Sequence, residues 1–303
     1  MASETYEARV RLLIRVLPLL RDQPRLALKG GTAINLFVQD LPRLSVDIDL
    51  AYTGLEGREE ALANIHGTLG GMKGALESLG LRVHTTPLSG TRTWVKLVVG
   101  DGDVQVKVEV SPVLRGTVYP PGLRRTTPAV QGRFGFVEVP VLALPDLYAG
   151  KLVAALDRQH PRDLYDVQLF LAQGRLTREV VLAFLVYLIS HGRPPHEVLR
   201  PHFKELAREY TMAFVGMTVE EVPLAVLEKA RVQLVTELHA RLTAEDRAFL
   251  LSVAQGEPDW ALLPLSGVAE LPAVRWKLHN IARMEPWKRQ AAVQALREAL
   301  QQG

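Results

Sequence analysis

The chain has 303 residues, 48% hydrophobic and 23% charged, an ordinary composition that excludes a mainly disordered protein and suits two modest domains or one large one. It has no cysteine, which excludes disulfides and thiolate metal sites and favours a cytoplasmic location. The net charge is only +3, and no stretch approaches the roughly 20 apolar residues of a membrane helix. We therefore expect a globular protein without a signal peptide or membrane anchor.

The first part of the chain alternates predicted helices with predicted strands. Apolar residues at helical spacing predict a helix over 5–20, and a second, short helix is predicted over 32–38. The segment VDIDL predicts a strand over 46–50. A longer helix over 59–79 leads to a hairpin whose arms flank 100–103, where Gly and Asp alternate.

Helical patterns dominate the second part of the chain. They begin with LPDLYAGKLVAAL, and strand-like runs fade from this point on. We place a boundary between 140 and 145, which predicts one domain over 1–143 and a second, mainly helical one over 144–303.

Two aspartates, Asp47 and Asp49, lie two residues apart in the VDIDL strand. Side chains at this spacing leave the same face of a strand, so both carboxylates would stand together while their aliphatic neighbours face the core. Carboxylate oxygens are ligands that Mg²⁺ prefers, and Mg²⁺ usually takes further ligands from the phosphates of a substrate. The pair therefore points to phosphoryl or nucleotidyl transfer.

A glycine turn precedes the two aspartates by a single helix. Gly30 and Gly31 would let the backbone approach a phosphate, and amides at the start of the following helix attract anions. Thr32 adds a hydroxyl donor to the turn. Its alternative role is the N-cap of that helix.

A third carboxylate, Glu109, lies on the second arm of the hairpin, on the same face as Gln105 and Lys107. It would complete a metal site or act as general base toward an attacking hydroxyl. The alternative is an ion pair with Lys107 or a nearby arginine. Asp101 and Asp103 have the same spacing as the aspartate pair, but their place in a glycine turn favours a structural role.

The segment KLVAALDRQHPRDLYD carries a second group of charged residues, from Lys151 to Asp166. A helix, a bend at the proline and a new helix would bring Lys151 back toward the acids that follow the bend. Its ammonium group would neutralise triphosphate charge in a transition state. The alternative is a structural ion pair, with Arg162 and Asp166 linking successive turns of one helix. For Arg158, Arg162 and Asp163 both interpretations stay open.

Two basic stretches are candidate contacts for a polyanion, although ordinary solvated arginines are the alternative. The first, between 111 and 136, carries four arginines and no acid: Arg115, Arg124, Arg125 and Arg133. The second, over 275–289, interleaves Trp276 and Trp287 with basic residues. Such side chains can stack on unpaired bases, but tryptophans at helical spacing are more often core anchors, and we expect core packing for both.

With these residues assembled, the chain resembles the AbiEii/AbiGii family of bacterial nucleotidyltransferase toxins, which includes the mycobacterial MenT proteins. The resemblance rests on the motifs KGGTAINL, RLSVDIDL and KVEV, the segment 151–166 and the late WKLHN. It implies an α+β fold with a DNA-polymerase-β-like core, followed by a helical portion that completes the active site and binds the acceptor. It also implies the toxin of a toxin–antitoxin pair, with a cognate antitoxin as partner.

The resemblance also implies roles for single residues. The family's glycine and hydroxyl motif falls on Gly31 and Thr32, beside Gly30, where the wider superfamily more often has serine. Its metal-binding acids fall on Asp47 and Asp49, its phosphate-binding lysine on Lys151 and its later catalytic acid on Asp166. Ser45 falls where some relatives carry a hydroxyl that an antitoxin kinase can modify, and its alternative role is a local hydrogen bond.

The implied reaction transfers NMP from an NTP to an acceptor hydroxyl with Mg²⁺, and the acceptor in relatives is the 3′ end of tRNA. Two other functions remain open. One is a nucleotidyltransferase that modifies a small molecule or a protein hydroxyl. The other is a non-catalytic regulatory protein that keeps the fold for binding.

Overall fold

The structure, a computed structural model, describes residues 2–301. The chain divides into two compact units, with the division between Ala143 and Leu144. Helices and strands alternate in the first unit, whereas the second is helical. This architecture confirms the predicted α+β class.

Seven strands of the described residues form one mixed sheet in the order β3-β4-β5-β2-β1-β7-β6. Their bounds are β1 Leu26–Lys29, β2 Asp47–Tyr52, β3 Arg82–Pro87, β4 Trp94–Asp101, β5 Val104–Arg115, β6 Gly122–Arg125 and β7 Glu138–Val141. The helices of this unit are α1 Ala2–Val16, α2 Gly30–Phe37, α3 Arg58–Ser78 and α4 Pro128–Phe134, and a 3-10 turn covers Leu17–Leu20.

The predicted elements of this unit form, with shifted ends. The N-terminal helix stops four residues early and continues as a 3-10 turn, since Pro18 has no amide hydrogen to donate. The second helix begins at Gly30, two residues before the predicted start. The VDIDL strand and the hairpin of β4 and β5 are confirmed.

Strand β2 lies in the middle of the sheet, between antiparallel β1 and parallel β5. Ile48 and Leu50 are fully buried on one face, and the two aspartates leave the other. Asp49 is paired in register with Lys29 on β1 and with Glu109 on β5. The carboxylate of a central strand thus has a cationic residue on one side and an acidic residue on the other.

Nine α-helices form the described part of the second unit: α5 Leu144–Asp157, α6 Pro161–Ala172, α7 Arg178–Ser190, α8 Pro195–Leu199, α9 Ala207–Ala213, α10 Leu224–Arg241, α11 Ala244–Gln255, α12 Pro272–Ala282 and α13 Pro286–Gln301. Helix α7 is buried along most of its length because the run VVLAFLVYLI is apolar on every face. It packs closely on α5 at Gly150, where a Cβ atom would lie 3.3 Å from the Tyr187 ring. None of the described helices is long and apolar enough to span a membrane.

Candidate active site

The glycine turn at the start of α2 lies directly against the carboxylate of Asp49. Gly30 has φ of +74°, a left-handed conformation that disfavours any other residue, and a Cβ atom there would lie 2.8 Å from Asp49 Oδ2. The position thus requires glycine for its backbone conformation and for the space it leaves. The structure therefore brings the glycine turn and the acid together, although helix and strand are separated by nine residues, 38–46.

Thr32 holds the turn to the first aspartate. Its buried hydroxyl donates to the backbone oxygen of Asp47 and lies 3.0 Å from Ser45 Oγ. Thr32 is the third residue of α2, and Lys29 occupies the N-cap position, so the N-cap alternative for Thr32 is wrong. Thr32 and the buried Ser45 together fix the backbone on which the two acids stand.

Arg43 is a residue of this site that the sequence reasoning missed. Its guanidinium is buried, and its Nη2 and Ser45 Oγ each lie 2.8 Å from the point where Gly31 would carry a Cβ atom. The same side chain donates from Nη1 to the backbone oxygen of Leu44 at 2.9 Å. An arginine two residues before the serine of RLSVDIDL was the available signal. It places a permanent positive charge against the glycine turn.

The electrostatics around Asp49 favour a bound cation. Burial raises the pKa of Asp49 above its ordinary value, and the nearby Asp47 and Glu109 act in the same direction. Lys29 and Lys107 oppose this shift. A carboxylate that is costly to keep ionised is stabilised when a metal ion binds it.

Glu109 is already paired. Its Oε2 lies 3.4 Å from the Nζ atoms of both Lys96 and Lys107, so the ion pair with Lys107 is present. In the described part of the chain, no three His, Asp or Glu side chains form a ready-made group for a metal. The donor set is thus two carboxylates on one strand face, which suits Mg²⁺ that takes its remaining ligands from water and substrate phosphates.

A second cluster lies in the other unit, where α5 and α6 meet. Lys151 Nζ is 2.8 Å from Asp163 Oδ1 and 3.0 Å from Asp166 Oδ2, and all three side chains are buried. Arg158 adds a partly exposed guanidinium at 2.8 Å from Asp163 Oδ2. The bend predicted before α6 therefore brings Lys151 to both acids.

Polar side chains fix the turn between these helices. Gln159 has φ of +54°, and its side chain donates to His202 O at 2.8 Å and accepts from Lys204 N at 3.1 Å. His160 caps α6 by accepting the Arg162 amide hydrogen at Nδ1. These bonds fix the turn that leads from α5 into α6.

Comparison with known proteins identifies the chain. Residues 11–280 match the family described as "Nucleotidyl transferase AbiEii toxin, Type IV TA system". The chain belongs to this family of nucleotidyltransferase toxins. The match covers every motif on which the sequence resemblance rests, and it confirms that resemblance.

A solved structure agrees with this assignment in fold. MenT4, a nucleotidyltransferase toxin from Mycobacterium tuberculosis H37Rv, is 20% identical to this AbiEii-family chain and superposes with a TM-score of 0.56. The alignment covers 96% of this chain and 93% of MenT4. No curated protein sequence matches the chain significantly. The two proteins therefore share a fold over nearly their whole lengths.

Three of the four arginines in the first basic stretch of this AbiEii-family chain are either buried or paired with an acid. Arg115 is buried and donates from Nη1 to Glu56 O at 2.8 Å. Arg125 pairs with Glu138 at 2.8 Å, and Arg133 pairs with Glu7. The stretch contains no acid of its own, but acids distant in sequence pair with Arg125 and Arg133.

The aromatic residues of the second basic stretch are more exposed than expected. Trp276 on α12 is 59% exposed and Trp287 on α13 is 65% exposed, so the expected core packing of both is wrong. The buried positions of these helices are taken by smaller apolar residues, among them Val274, Ile281 and Leu296. The tryptophans lie on the solvent side of the helices, next to the basic residues.

Proposed function

We propose that this protein transfers NMP from an NTP to the 3′-terminal hydroxyl of tRNA, with Mg²⁺ bound by Asp47 and Asp49. The observation that carries the proposal is the approach of Gly30 to the Asp49 carboxylate. A phosphate bound at backbone amides of this turn would lie beside the two acids. One cation would then bind the phosphate and the carboxylates together. Membership of a nucleotidyltransferase toxin family supports the reaction class.

The reaction is a displacement at phosphorus. The acceptor hydroxyl oxygen forms a bond to the α-phosphorus of the NTP, the bond from that phosphorus to the bridging oxygen breaks, and pyrophosphate leaves with its electron pair. The hydroxyl proton passes to solvent. Bound Mg²⁺ would neutralise the charge that develops on the phosphate oxygens. The chain's own contribution is to orient the triphosphate at Gly30 and Gly31 and to hold the two carboxylates rigidly.

The roles of Lys151 and Asp166 belong to the same proposal. The family resemblance assigns the lysine to nucleotide phosphates and the aspartate to catalysis, and the resemblance alone carries this assignment. In support, Lys151 Nζ lies 3.0 Å from Asp166 Oδ2, so the lysine and the aspartate of this assignment stand side by side. Ser45 stays a candidate for nucleotide binding, and Glu109 stays a candidate third carboxylate of the site. The second unit is proposed to bind the acceptor, and a cognate antitoxin is the proposed protein partner.

A transfer assay tests the proposal. The purified protein is incubated with Mg²⁺, each labelled NTP in turn and total tRNA, and we expect label in tRNA that disappears when Mg²⁺ is chelated. Label in a protein or a metabolite instead of RNA would favour the alternative acceptors. If Asp49→Ala neither abolished transfer nor relieved growth inhibition, the protein would be a non-catalytic binding partner.

A further inference from the structure

Two large aromatic rings of the second unit face solvent. Trp276 and Trp287 are 59% and 65% exposed, whereas Trp94 and Trp260 are half-buried. The two exposed rings lie only 11 residues apart, on α12 and on the first turn of α13. Two exposed tryptophans this close in sequence indicate a binding site for a partner with apolar or aromatic parts.

Each ring has a cationic or polar side chain against it. Lys288 Nζ lies 5.4 Å from the centre of the Trp287 ring, and the His279 ring stacks on Trp276 at 5.8 Å with an interplanar angle of 19°. Arg283 Nη1 lies 3.3 Å from His279 Nε2, between the two tryptophans in sequence. We refer to Trp276, His279, Arg283, Trp287 and Lys288 as the α12–α13 surface.

A groove of about 470 Å³ begins next to this surface, where Pro286 precedes Trp287. Its lining is rich in hydrogen-bonding groups that suit phosphates and base edges, among them Arg289, Arg297, Gln290 and Gln294. Acidic residues do not line it. The groove therefore continues the positive character of the α12–α13 surface along α13.

We propose that the α12–α13 surface binds unpaired nucleotides of RNA, with bases stacked on Trp276 and Trp287 and phosphates held by Lys288 and the groove arginines. This inference deepens the proposed function and rests on RNA as the acceptor. Every base has a ring face that can stack on tryptophan, so the surface would favour single strands over duplexes without reading a sequence. The positive charges are complementary to the RNA backbone.

The chemistry of the surface favours RNA over an apolar protein partner. Lysine is depleted at the centre of protein interfaces, whereas here a lysine lies over the Trp287 ring. Tryptophan that alternates with cations is typical of sites for single-stranded nucleic acid. A protein partner is the alternative that the experiment separates.

Binding of a fluorescein-labelled 12-nucleotide single-stranded RNA to the full chain, followed by anisotropy without NTP or Mg²⁺, tests the proposal. We expect Trp276→Ala and Trp287→Ala each to weaken binding about tenfold, since base stacking on an aromatic ring contributes about this much. Trp287→Phe keeps a ring and should bind within about threefold of the wild type. The double variant Lys288→Gln, Arg289→Gln should lower the slope of log affinity against log salt by about 1.4, since each phosphate contact on a single strand contributes about 0.7.

Phe203→Ala is the matched control, because Phe203 is an exposed ring of the same unit with an arginine, Arg231, 4.6 Å from its centre. It should bind RNA like the wild type. Equal affinity of the tryptophan variants and the wild type, no preference for the single strand over a duplex of the same length, or no binding by the wild type would overturn the proposal. NTP and Mg²⁺ are omitted so that binding is measured separately from transfer. If the tryptophans bind RNA in this assay but the transfer assay puts no label in tRNA, the result would count against the proposed function alone.

Discussion

The two charged clusters of this protein have opposite electrostatic character. In the first unit, burial raises the pKa of Asp49, which stands beside Asp47 on one strand face. In the second unit, Asp163 and Asp166 are buried too, but the Lys151 ammonium lies within 3.0 Å of both. Lys29 and Lys107 act on Asp49 from the neighbouring strands without offsetting the effect of burial on its pKa, whereas the second cluster holds an ammonium group between its two acids. We therefore expect the first to serve ligand binding at a cost in stability and the second to stabilise its unit.

The largest expected effect tests the first half of this comparison. Asp49→Asn should reduce NMP transfer by about 10³-fold, because one of the two carboxylates that bind the cation is lost. The folded-state pKa of Asp49 is raised, so its ionised form lowers stability at pH values above that pKa, and the unfolding free energy at pH 7 should stay equal or rise. Rate assays and denaturant melts measure both. Asp103→Asn, in the hairpin turn, is the control that should change neither.

Lys151→Met tests the second half. It leaves two buried carboxylates without their ammonium partner, and we expect a loss of about 3–5 kcal/mol in the unfolding free energy. Arg158→Met removes a mostly exposed cation from the same Asp163 and should cost less than about 1 kcal/mol. Chemical denaturation of both variants provides the comparison. Similar losses would show that the buried lysine is not what stabilises the cluster.

Gly30→Ala probes how tightly the turn is fitted to the first cluster. The change introduces strain at φ of +74° and a Cβ atom 2.8 Å from Asp49 Oδ2, and we expect a loss of about 2–3 kcal/mol together with reduced transfer. Gly90 has the same φ of +74° but no atom within 4 Å of its Cβ position. Gly90→Ala should therefore cost about 1 kcal/mol and leave transfer unchanged. An equal cost at both positions in thermal melts would refute the close contact.

The smallest expected effect tests whether hydrogen-bond partners, rather than the unit in which a carboxylate lies, determine whether that carboxylate stabilises the fold. Glu56 lies in the first unit, like Asp49, but its pKa is lowered. Burial alone would raise this pKa, but hydrogen bonds from Tyr52, its own backbone and Asn64 lower it to about 2. Its contribution to stability is thus present above the unfolded pKa of 4.5 and is lost as pH falls toward 2.

Glu56→Gln should accordingly destabilise the protein by about 1–2 kcal/mol at pH 7, and by less at pH 3. Denaturant melts at both pH values measure the difference. Glu59→Gln, an exposed acid in the first turn of α3, should change stability by less than about 0.5 kcal/mol at either pH. A pH-independent loss for Glu56→Gln would mean that its side-chain packing, not its charge, stabilises the unit.

Local periodicity was enough to predict much of the first unit. Alternating aliphatic residues placed Asp47 and Asp49 on one face of a strand, and the valines of β5 placed Glu109 on the corresponding face of its strand. The pairing of Asp49 with Lys29 and Glu109 was not predictable, because strand order and register depend on contacts between distant segments. Arg43 was missed for the same reason.

Solvent exposure was the property that the sequence predicted least well. Tryptophans at helical spacing on α12 and α13 have the pattern of core residues, but smaller neighbours fill the core. The arginines of 111–136 have no acid nearby in sequence, but the fold brings Glu7, Glu138 and the Glu56 carbonyl to them. Burial and charge pairing are set by tertiary contacts, which periodicity does not contain.

The central position of β2 links the chemistry to the cooperativity of the fold. The strand is hydrogen-bonded to β1 on one side and β5 on the other, so its amide hydrogens should exchange with solvent only when the whole sheet opens. Partial melting at the edges of the sheet would leave the two aspartates in place. Loosening the edges of the sheet is therefore not enough to displace the candidate site, which only a global opening of the sheet would disturb.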